Sequence, residues 1–112
     1  MTVSFFNTTP HVINFINGDT EVAIPASGTV ARVENTFEVV DFGGVPVKVK
    51  TSAVIVDLPE AHEGTIVIVS GFVRSAIPAD ERPDVVSPGT GPQDNPRRSE
   101  KGWITGVRCF VR

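Results

Sequence analysis

Glycines suited to anion binding lie close together late in the chain, between residues 82 and 98. Residues 88–92 read Pro-Gly-Thr-Gly-Pro, which places two glycines between two prolines. Because glycine readily adopts positive φ, the amides of Gly89, Thr90 and Gly91 are predicted to turn inward and form an anion-binding nest. The same composition is typical of a flexible surface loop, and the sequence leaves that second interpretation open.

Arginines on either side of these glycines supply the positive charge that an anion site needs. Arg82 precedes the glycines, and Arg97 and Arg98 follow them. A guanidinium binds a phosphate or carboxylate through two parallel hydrogen bonds. We expect Arg82 to contact the anion and Asp84 to hold Arg82 in place. Arg108, on the last predicted strand, either lies at a strand edge or lines a pocket, and it completes the set of cationic candidates.

The segment from Asn7 to His11 is the second candidate for ligand binding. Asn and Thr side chains hydrogen-bond to nearby backbone, so this segment is first of all a predicted turn that leads into a strand. A histidine there can donate to a ligand or exchange a proton near neutral pH. A single histidine beside a turn also serves as a structural donor. Asn7 and His11 are therefore ligand-binding candidates with both interpretations open.

Residues for covalent or metal chemistry are sparse. No Gly-x-Ser-x-Gly elbow occurs, and the single cysteine, Cys109, falls within a predicted strand. Glu60, His62 and Glu63 lie together in a predicted loop, but without a second histidine nearby they indicate a solvated acidic turn. The sequence therefore predicts no catalytic residue, no metal and no cofactor. It favours a non-enzymatic role and leaves open whether the protein is an enzyme.

Length and charge limit the classes of function. The chain has 112 residues, which suits one domain, residues 1–112, with a modest hydrophobic core. A net charge of -3 argues against nonspecific nucleic-acid binding, which needs a surplus of Lys and Arg. No apolar run is long enough to span a membrane, and residues 1–25 lack the basic start and apolar block of a signal peptide. We therefore expect a cytoplasmic protein.

Hydrophobic periodicity predicts a mainly β domain. Alternating apolar residues between turn signals such as Asn17-Gly18 and Gly43-Gly44 indicate short strands along most of the chain. A short helix is predicted near residues 70–77, with Ser70 as its N-cap. Residues 78–102 are predicted to be a long Pro/Gly-rich loop. The predicted architecture is a small antiparallel barrel or two-sheet sandwich with one short helix.

The same periodicity predicts which side chains form the core. Val45, Val47 and Val49 point to one face of a strand while Lys48 and Lys50 point to the other. Two continuous apolar runs indicate strands buried on both faces, residues 53–56 and 65–69. The core is predicted to include the following side chains: Val22, Ile24, Val47, Val49, Val54, Val56, Val67, Val69, Val107 and Cys109.

Short motifs are spread along most of the chain. They are Asn7-x-Thr9-Pro10-His11, Ile24-Pro25-Ala26-Ser27-Gly28, Leu58-Pro59-Glu60, Arg82-x-Asp84-Val85-x-x-Pro88-Gly89-Thr90-Gly91-Pro92 and Gly102-x-Ile104-x-x-Val107. Together they resemble a group of small proteins encoded by tailed phages, prophages and plasmids, whose function is not settled. Thr8 stands where that group usually has leucine, and the basic stretch around Arg97 and Arg98 is longer. The resemblance implies a mobile-element context and raises the expectation of a binding role.

Three functional classes follow from these residues and this resemblance. The first is a non-enzymatic binder of a small anionic, nucleotide-derived ligand, which in a phage would trap a signal of host defence. The second is a protein-interaction or virion-accessory module that docks on a host or phage protein. The third is a small hydrolase. We also expect a closed homo-oligomer, most simply a dimer, because small β domains with edge strands commonly pair.

Overall fold

The protein is mainly β, as the sequence predicts. The computed structural model describes residues 3–78 and 80–112. A 3₁₀ turn covers Pro92–Asp94. The strands and the one α-helix in these residues are β1 (Ser4–Asn7), β2 (Ile13–Asn17), β3 (Thr20–Ile24), β4 (Arg32–Phe42), β5 (Val45–Val56), β6 (Thr65–Ile68), α1 (Gly71–Ser75), β7 (Val85–Pro88), β8 (Arg97–Arg98), β9 (Ile104–Gly106) and β10 (Phe110–Val111).

The central sheet has four strands in the order β1-β6-β7-β10. β1 runs parallel to β6 and β6 runs parallel to β7, whereas β7 and β10 are antiparallel. Parallel neighbours cannot be joined by a tight turn, and α1 lies in the crossover between β6 and β7. The sheet is therefore mixed and open, and the predicted closed antiparallel barrel is not formed.

Strand β6 is buried on both faces, as predicted for residues 65–69. Val67, Ile68 and Val69 are at most 1 % exposed. Successive side chains of a strand point to opposite faces, so β6 contributes to two separate hydrophobic clusters. The cluster on the α1 side contains Ala31, Val67, Val69, Val73, Ile77 and Val85. The cluster on the other face contains Ile13, Ile24, Ile68, Val86 and Val107, with Phe5, Phe15 and Phe110 packed against it.

Helix α1 lies within the predicted range 70–77. The Ser70 hydroxyl accepts a hydrogen bond from the Val73 amide at 3.3 Å and caps the helix. Val73 and Ile77 lie one turn apart and both pack on the sheet. Pro78 follows Ile77 and cannot continue the helix.

Two hairpins turn on glycines with positive φ. In the β2–β3 hairpin Asn17 pairs with Thr20, so the turn residues are Gly18 and Asp19, one position later than the predicted pair. Gly18 has φ of 63° at the first turn position, which matches a type II′ turn. The β4–β5 hairpin turns at residues 43–44, as predicted, with both φ values positive, which matches type I′.

The β4–β5 hairpin projects from the rest of the molecule. Its strands have 11 and 12 residues and pair only with each other. The radius of gyration is 17.1 Å, against about 13 Å for a compact chain of this length. The core prediction is therefore wrong for the hairpin residues Val47, Val49 and Val54, which are 41 %, 40 % and 55 % exposed. Residues 53–54 are likewise not part of a buried strand.

Outside the hairpin the core prediction is mostly confirmed. The predicted core residues Ile24, Val67, Val69 and Val107 are buried. Val22 is 43 % exposed: it shares a face of β3 with the buried Ile24 but lies two residue pairs nearer the hairpin turn.

The late segment 78–102 contains more regular structure than the predicted loop. Val85 and Val86 pair with β6 and enter the two clusters on opposite faces of the sheet. The Gly89 amide donates to the Cys109 carbonyl at 2.9 Å, which joins the end of β7 to the last strand. Burial of Val85 and Val86 stabilises strand β7, which the Pro/Gly-rich composition of residues 78–102 did not indicate.

We expect Gly89→Ala to destabilise the fold by about 1–3 kcal/mol, because overpacking a close contact displaces backbone. A Cβ at Gly89 would lie 2.6 Å from Cys109 Sγ and 3.0 Å from the Cys109 carbonyl oxygen. The matched control is Gly71→Ala, where nothing lies within 4 Å of the added carbon and stability should stay equal or rise. Urea denaturation measures both, and equal midpoints for the two variants would contradict the close packing.

Candidate functional site

A buried asparagine organises the turn after β1. Asn7 is 1 % exposed. Its Oδ1 accepts hydrogen bonds from the Thr9 amide and hydroxyl, at 2.9 and 2.7 Å. Its Nδ2 donates to the carbonyl oxygens of His11 and Ile24, at 2.8 and 3.1 Å. These four bonds use the whole capacity of the side-chain amide, so Asn7 has a positioning role in place of the predicted ligand contact.

Thr8 ties the same turn to the central strand. Its hydroxyl and its amide both donate to the Ile68 carbonyl, at 2.7 and 2.8 Å. The side chain is 1 % exposed, so this bond lies away from water. A leucine at position 8 would lack the hydroxyl donor and leave the Ile68 carbonyl with the backbone bond alone.

A cleft of about 430 Å³ lies beside this turn. Its walls come from three segments, each of which follows the carboxyl end of one parallel strand: β1, β6 or β7. In open sheets built from parallel strands, ligands bind outside the carboxyl ends of the strands. The cleft is lined by Thr9, Pro10, His11, Ile13, Ser70, Gly71, Pro88 and Thr90.

The structure brings two of the predicted site residues together in this cleft. His11 and Thr90 come from separate stretches of sequence and are both exposed. Within the described chain, no side-chain hydrogen bond engages the His11 imidazole or the Thr90 hydroxyl. A second cleft of about 230 Å³ adjoins the first and shares Ile13, Pro88 and Thr90 with it. Together the two clefts form a groove. The side chains of His11 and Thr90 are its free polar groups, and Ile13 and Pro88 form its apolar floor.

Arg74 is a functional candidate that the sequence analysis missed. It lies on α1, is only 5 % exposed, and its Nε and Nη1 have no acceptor among residues 3–78 and 80–112. Desolvating a cation without a partner costs several kcal/mol. Arg74 follows Ser70 and Gly71, which line the larger cleft, but the Arg74 side chain itself lines neither cleft. The sequence signal was a cation next to Val73 on a short amphipathic helix.

The predicted anion nest at residues 89–91 is not formed. The Gly89 amide is used by the Cys109 carbonyl, and Gly91 has an extended backbone with φ of -71°. The Gly91 amide donates to Asp94 Oδ2 at 3.2 Å. The Asp94 carboxylate therefore occupies the position that a bound anion would take.

Arg82 is held by Asp84, in the arrangement that the sequence analysis expected. Arg82 Nε and Nη2 each lie 2.9 Å from one Asp84 carboxylate oxygen, and Nη2 also donates to the Pro59 carbonyl at 2.8 Å. These hydrogen bonds are the main reason that the pKa of Asp84 is lowered and that of Arg82 raised. The pair ties the start of β7 to the loop before β6 and lines neither cleft. A ligand contact by Arg82 stays a prediction.

Arg97 supports the wall of the smaller cleft. Its guanidinium contacts both carboxylate oxygens of Glu21, at 3.0 and 2.7 Å. It also donates to the hydroxyl and the carbonyl of Thr105, both at 3.0 Å, and Thr105 lines the cleft. The hydrogen bonds from Arg97 lower the pKa of Glu21. Arg97 therefore positions Thr105, and the Glu21 carboxylate neutralises the charge of its guanidinium.

The other two predicted arginines bind backbone carbonyls. Arg98 Nη1 donates to Gly102 and Arg108 Nε donates to Asn95, both at 2.9 Å. Both side chains belong to exposed residues. The arginines of the late segment are thus held by separate partners and do not converge on residues 89–91.

Cys109 is not an activated thiol, and the described residues hold no metal-ligating cluster. Partial burial, and then the Asp94 carboxylate, raise the pKa of Cys109, so its thiol stays protonated near neutral pH and is a poor nucleophile. Residues 3–78 and 80–112 contain no cluster of three His, Cys, Asp or Glu side chains that could hold a metal ion. The loop that carries Glu60, His62 and Glu63 is among these residues.

We expect Asp84→Asn to lower the free energy of unfolding by about 1.5–3 kcal/mol at neutral pH, because hydrogen bonds to an ionised partner are lost. The pKa of Asp84 is depressed in the folded state, so its contribution is complete above the unfolded-state pKa and is lost as pH falls through the folded-state pKa. Denaturation of parent and variant at several pH values measures this difference, which should vanish in strong acid.

The matched control for Asp84 is Asp57→Asn. Asp57 pairs with Arg32 at 3.2 Å, but both side chains are more than half exposed. Exposed ion pairs contribute between zero and about 1 kcal/mol, so this variant should stay close to the parent at every pH. A pH-independent loss at Asp84 would contradict the ion-pair explanation.

Comparison of the chain with protein-family models, with curated proteins and with solved structures found no match to any of them. No helix in the part of the chain that the structure describes is long and apolar enough to cross a membrane. The cleft at the carboxyl ends of β1, β6 and β7 and the buried Arg74 on α1 are therefore the features from which a function is argued.

Proposed function

We propose that the protein is a non-enzymatic binder of a small anionic ligand, and that the ligand occupies the cleft lined by His11, Ser70 and Thr90. The observation that carries this proposal is Arg74. Its guanidinium is buried, and two of its nitrogens have no acceptor within the described residues. Buried charges in proteins are normally paired, so an anion bound next to α1, whose first residue Gly71 lines the cleft, would supply the missing acceptor.

The shape and lining of the cleft favour a nucleotide-derived ligand. A volume of about 430 Å³ is within the usual range for small-molecule sites. Pro10, Ile13 and Pro88 give an apolar surface for a flat base, and the hydroxyls of Ser70 and Thr90 suit a sugar or phosphate. The position at the carboxyl ends of three parallel strands also supports ligand binding.

The resemblance to small proteins of phages, prophages and plasmids suggests a biological setting for such a binder. A protein that sequesters a nucleotide signal without converting it needs a cleft and a charge but no nucleophile or metal. This matches the groups around the cleft, where His11 has no partner that would activate a nucleophile. The proposed role is that of a ligand trap in the host cytoplasm that blunts a defence signal.

A protein-interaction role is the second candidate, and the exposed β4–β5 hairpin favours it. None of the residues that line the two clefts lies on the hairpin. Association through the hairpin and capture of a ligand in the cleft are therefore compatible in one molecule. The expected closed homo-oligomer belongs to this part of the proposal.

We expect Arg74→Met to raise the stability of the ligand-free protein by about 1 kcal/mol or more, because it removes an uncompensated buried charge and keeps the apolar stem. The same substitution should abolish the rise in melting temperature that a bound anion produces. Differential scanning fluorimetry of parent and variant, with nucleoside mono-, di- and triphosphates, cyclic nucleotides and inorganic phosphate, measures both effects. At a ligand concentration of about 100 Kd the parent gains roughly 2.7 kcal/mol.

The matched control for this experiment is Arg98→Met, which removes an exposed guanidinium from the same protein. It should change neither the stability of the free protein nor its response to ligand. Absence of any ligand-induced shift in the parent would contradict the ligand class. An undiminished shift in Arg74→Met would show that another group binds the anion.

We expect His11→Ala and Thr90→Val to weaken the same ligand by about two- to tenfold each, the effect of one lost hydrogen bond of about 0.5–1.5 kcal/mol. Isothermal titration calorimetry with the ligand found by the thermal screen measures the change. Thr29→Val is the matched control, because Thr29 is exposed and lines neither cleft. Parent-like affinity in both cleft variants would place the ligand elsewhere.

A further inference from the structure

The β4–β5 hairpin has one apolar face and one face that carries lysines. The strand register pairs Val40 with Val47 and Phe42 with Val45, so these four side chains share a face. That face, called here the dry face, carries Val40, Phe42, Val45, Val47 and Val49, which are 38–79 % exposed, and also Glu38, which pairs with Val49. The opposite face, called here the lysine face, carries Phe37, Val39, Asp41, Lys48 and Lys50.

Only on the lysine face do charged side chains shield apolar groups from water. Lys48 Nζ lies 4.6 Å from the centroid of the Phe37 ring and shields it as a cation–π contact. The dry face has no such cover, and its five apolar side chains form a continuous surface toward the tip of the hairpin. Exposed apolar patches of this kind mark interaction surfaces in soluble proteins.

The hairpin also lacks neighbours at its edges. β4 and β5 form a two-stranded sheet, so in the described structure each has one unpaired edge along its length. Isolated two-stranded ribbons are marginally stable in water, and long unpaired edges promote association. A hairpin of this length therefore needs further strands beside it to keep its conformation.

Two properties of the hairpin identify the occupant as another copy of this chain. If the β4–β5 hairpin is stabilised by a partner, that partner must be present whenever the chain is made. A second copy of the chain meets this condition. The charges at the two edges are also complementary. On the lysine face, β5 carries Lys48 and Lys50 without an acidic residue, whereas β4 carries Asp41.

These charges select one way of pairing the strands. Pairing β5 of one copy with β4 of the next brings lysines beside the Asp41 carboxylate in an antiparallel sheet. Pairing β5 with β5 would instead place lysines beside lysines, which destabilises cross-strand neighbours. The favoured contact uses two different edges, so repeated copies either close into a ring or form an open filament.

We propose that the β4–β5 hairpin is the interface of a closed homo-oligomer, in which β5 of each copy pairs with β4 of the next and the dry faces point inward. Three or four copies would supply six or eight strands, about the number found in small filled barrels. The dry side chains fill the interior, and Lys48 and Lys50 remain in water. Glu38 lies at the body end of the dry face, where the barrel opens to solvent.

This arrangement replaces the simple dimer that the sequence suggested, because two hairpins provide too few strands to enclose the dry faces. It does not rest on ligand binding, since no cleft residue lies on the hairpin. The two proposals therefore fail separately. A thermal-shift screen with nucleotides on a monomeric variant tests the cleft alone.

The first test compares Val47→Asp with Val39→Asp, two identical substitutions of exposed valines on opposite faces of the ribbon. Light scattering at micromolar concentration should give an oligomer for the parent and for Val39→Asp, and the mass of a single chain for Val47→Asp. Near-parent circular dichroism from the body confirms folding. A monomeric parent overturns the proposal and leaves the hairpin to a different protein, and equal masses for the two variants overturn the role of the dry face.

The second test uses charge and does not alter the apolar surface. The double variant Lys48→Glu/Lys50→Glu should dissociate at least tenfold more readily than the parent, and Asp41→Lys should also dissociate more readily. Mixing the two variants should restore association, because each then presents edges that complement the other. Parent-like association of Lys48→Glu/Lys50→Glu alone, or a mixture that stays dissociated, overturns the β5–β4 pairing.

Discussion

Burial of strand β6 on both faces is the constraint on which the rest of the structure depends. Val67, Ile68 and Val69 have almost no solvent contact, and the side chains of this short segment enter two clusters on opposite sides of the sheet. A strand with two dry faces must have its neighbours hydrogen-bonded on both edges and a covering layer on each side. β1 and β7 supply the edges, and helix α1 supplies one of the covering layers.

The parallel direction of these neighbours determines where the cleft lies. β1, β6 and β7 all end at the same edge of the sheet, so the segments that follow them meet there. Asn7 and Thr8 fix the first of these segments by hydrogen bonds to the backbone. The cap of α1 and the end of β7 complete the walls. The cleft at this edge is therefore a consequence of topology, because the residues that line it belong to no shared sequence motif.

Two features of the molecule raise the free energy of the isolated folded chain. Both suggest that the folded chain has a binding partner. Arg74 carries buried nitrogens without an acceptor in the described residues, and the β4–β5 hairpin exposes a continuous apolar face. Neither feature is explained by the packing of the body. The two proposals assign a partner to each: an anion to Arg74, and further copies of the chain to the hairpin. The physical cause differs, since the first is electrostatic desolvation and the second is apolar exposure.

The sequence by itself determined the local elements of this protein, namely the mainly β class, the helix capped by Ser70, the turn at residues 43–44 and the buried character of residues 65–69. Those features depend on short-range preferences that neighbouring residues decide. Only the tertiary structure decided that β6 pairs with two parallel strands, that His11 and Thr90 share a cleft, and that Val47 is exposed although its alternation matches a core strand. Alternation shows that a strand has an apolar face, but which element covers that face depends on contacts between residues far apart in the chain.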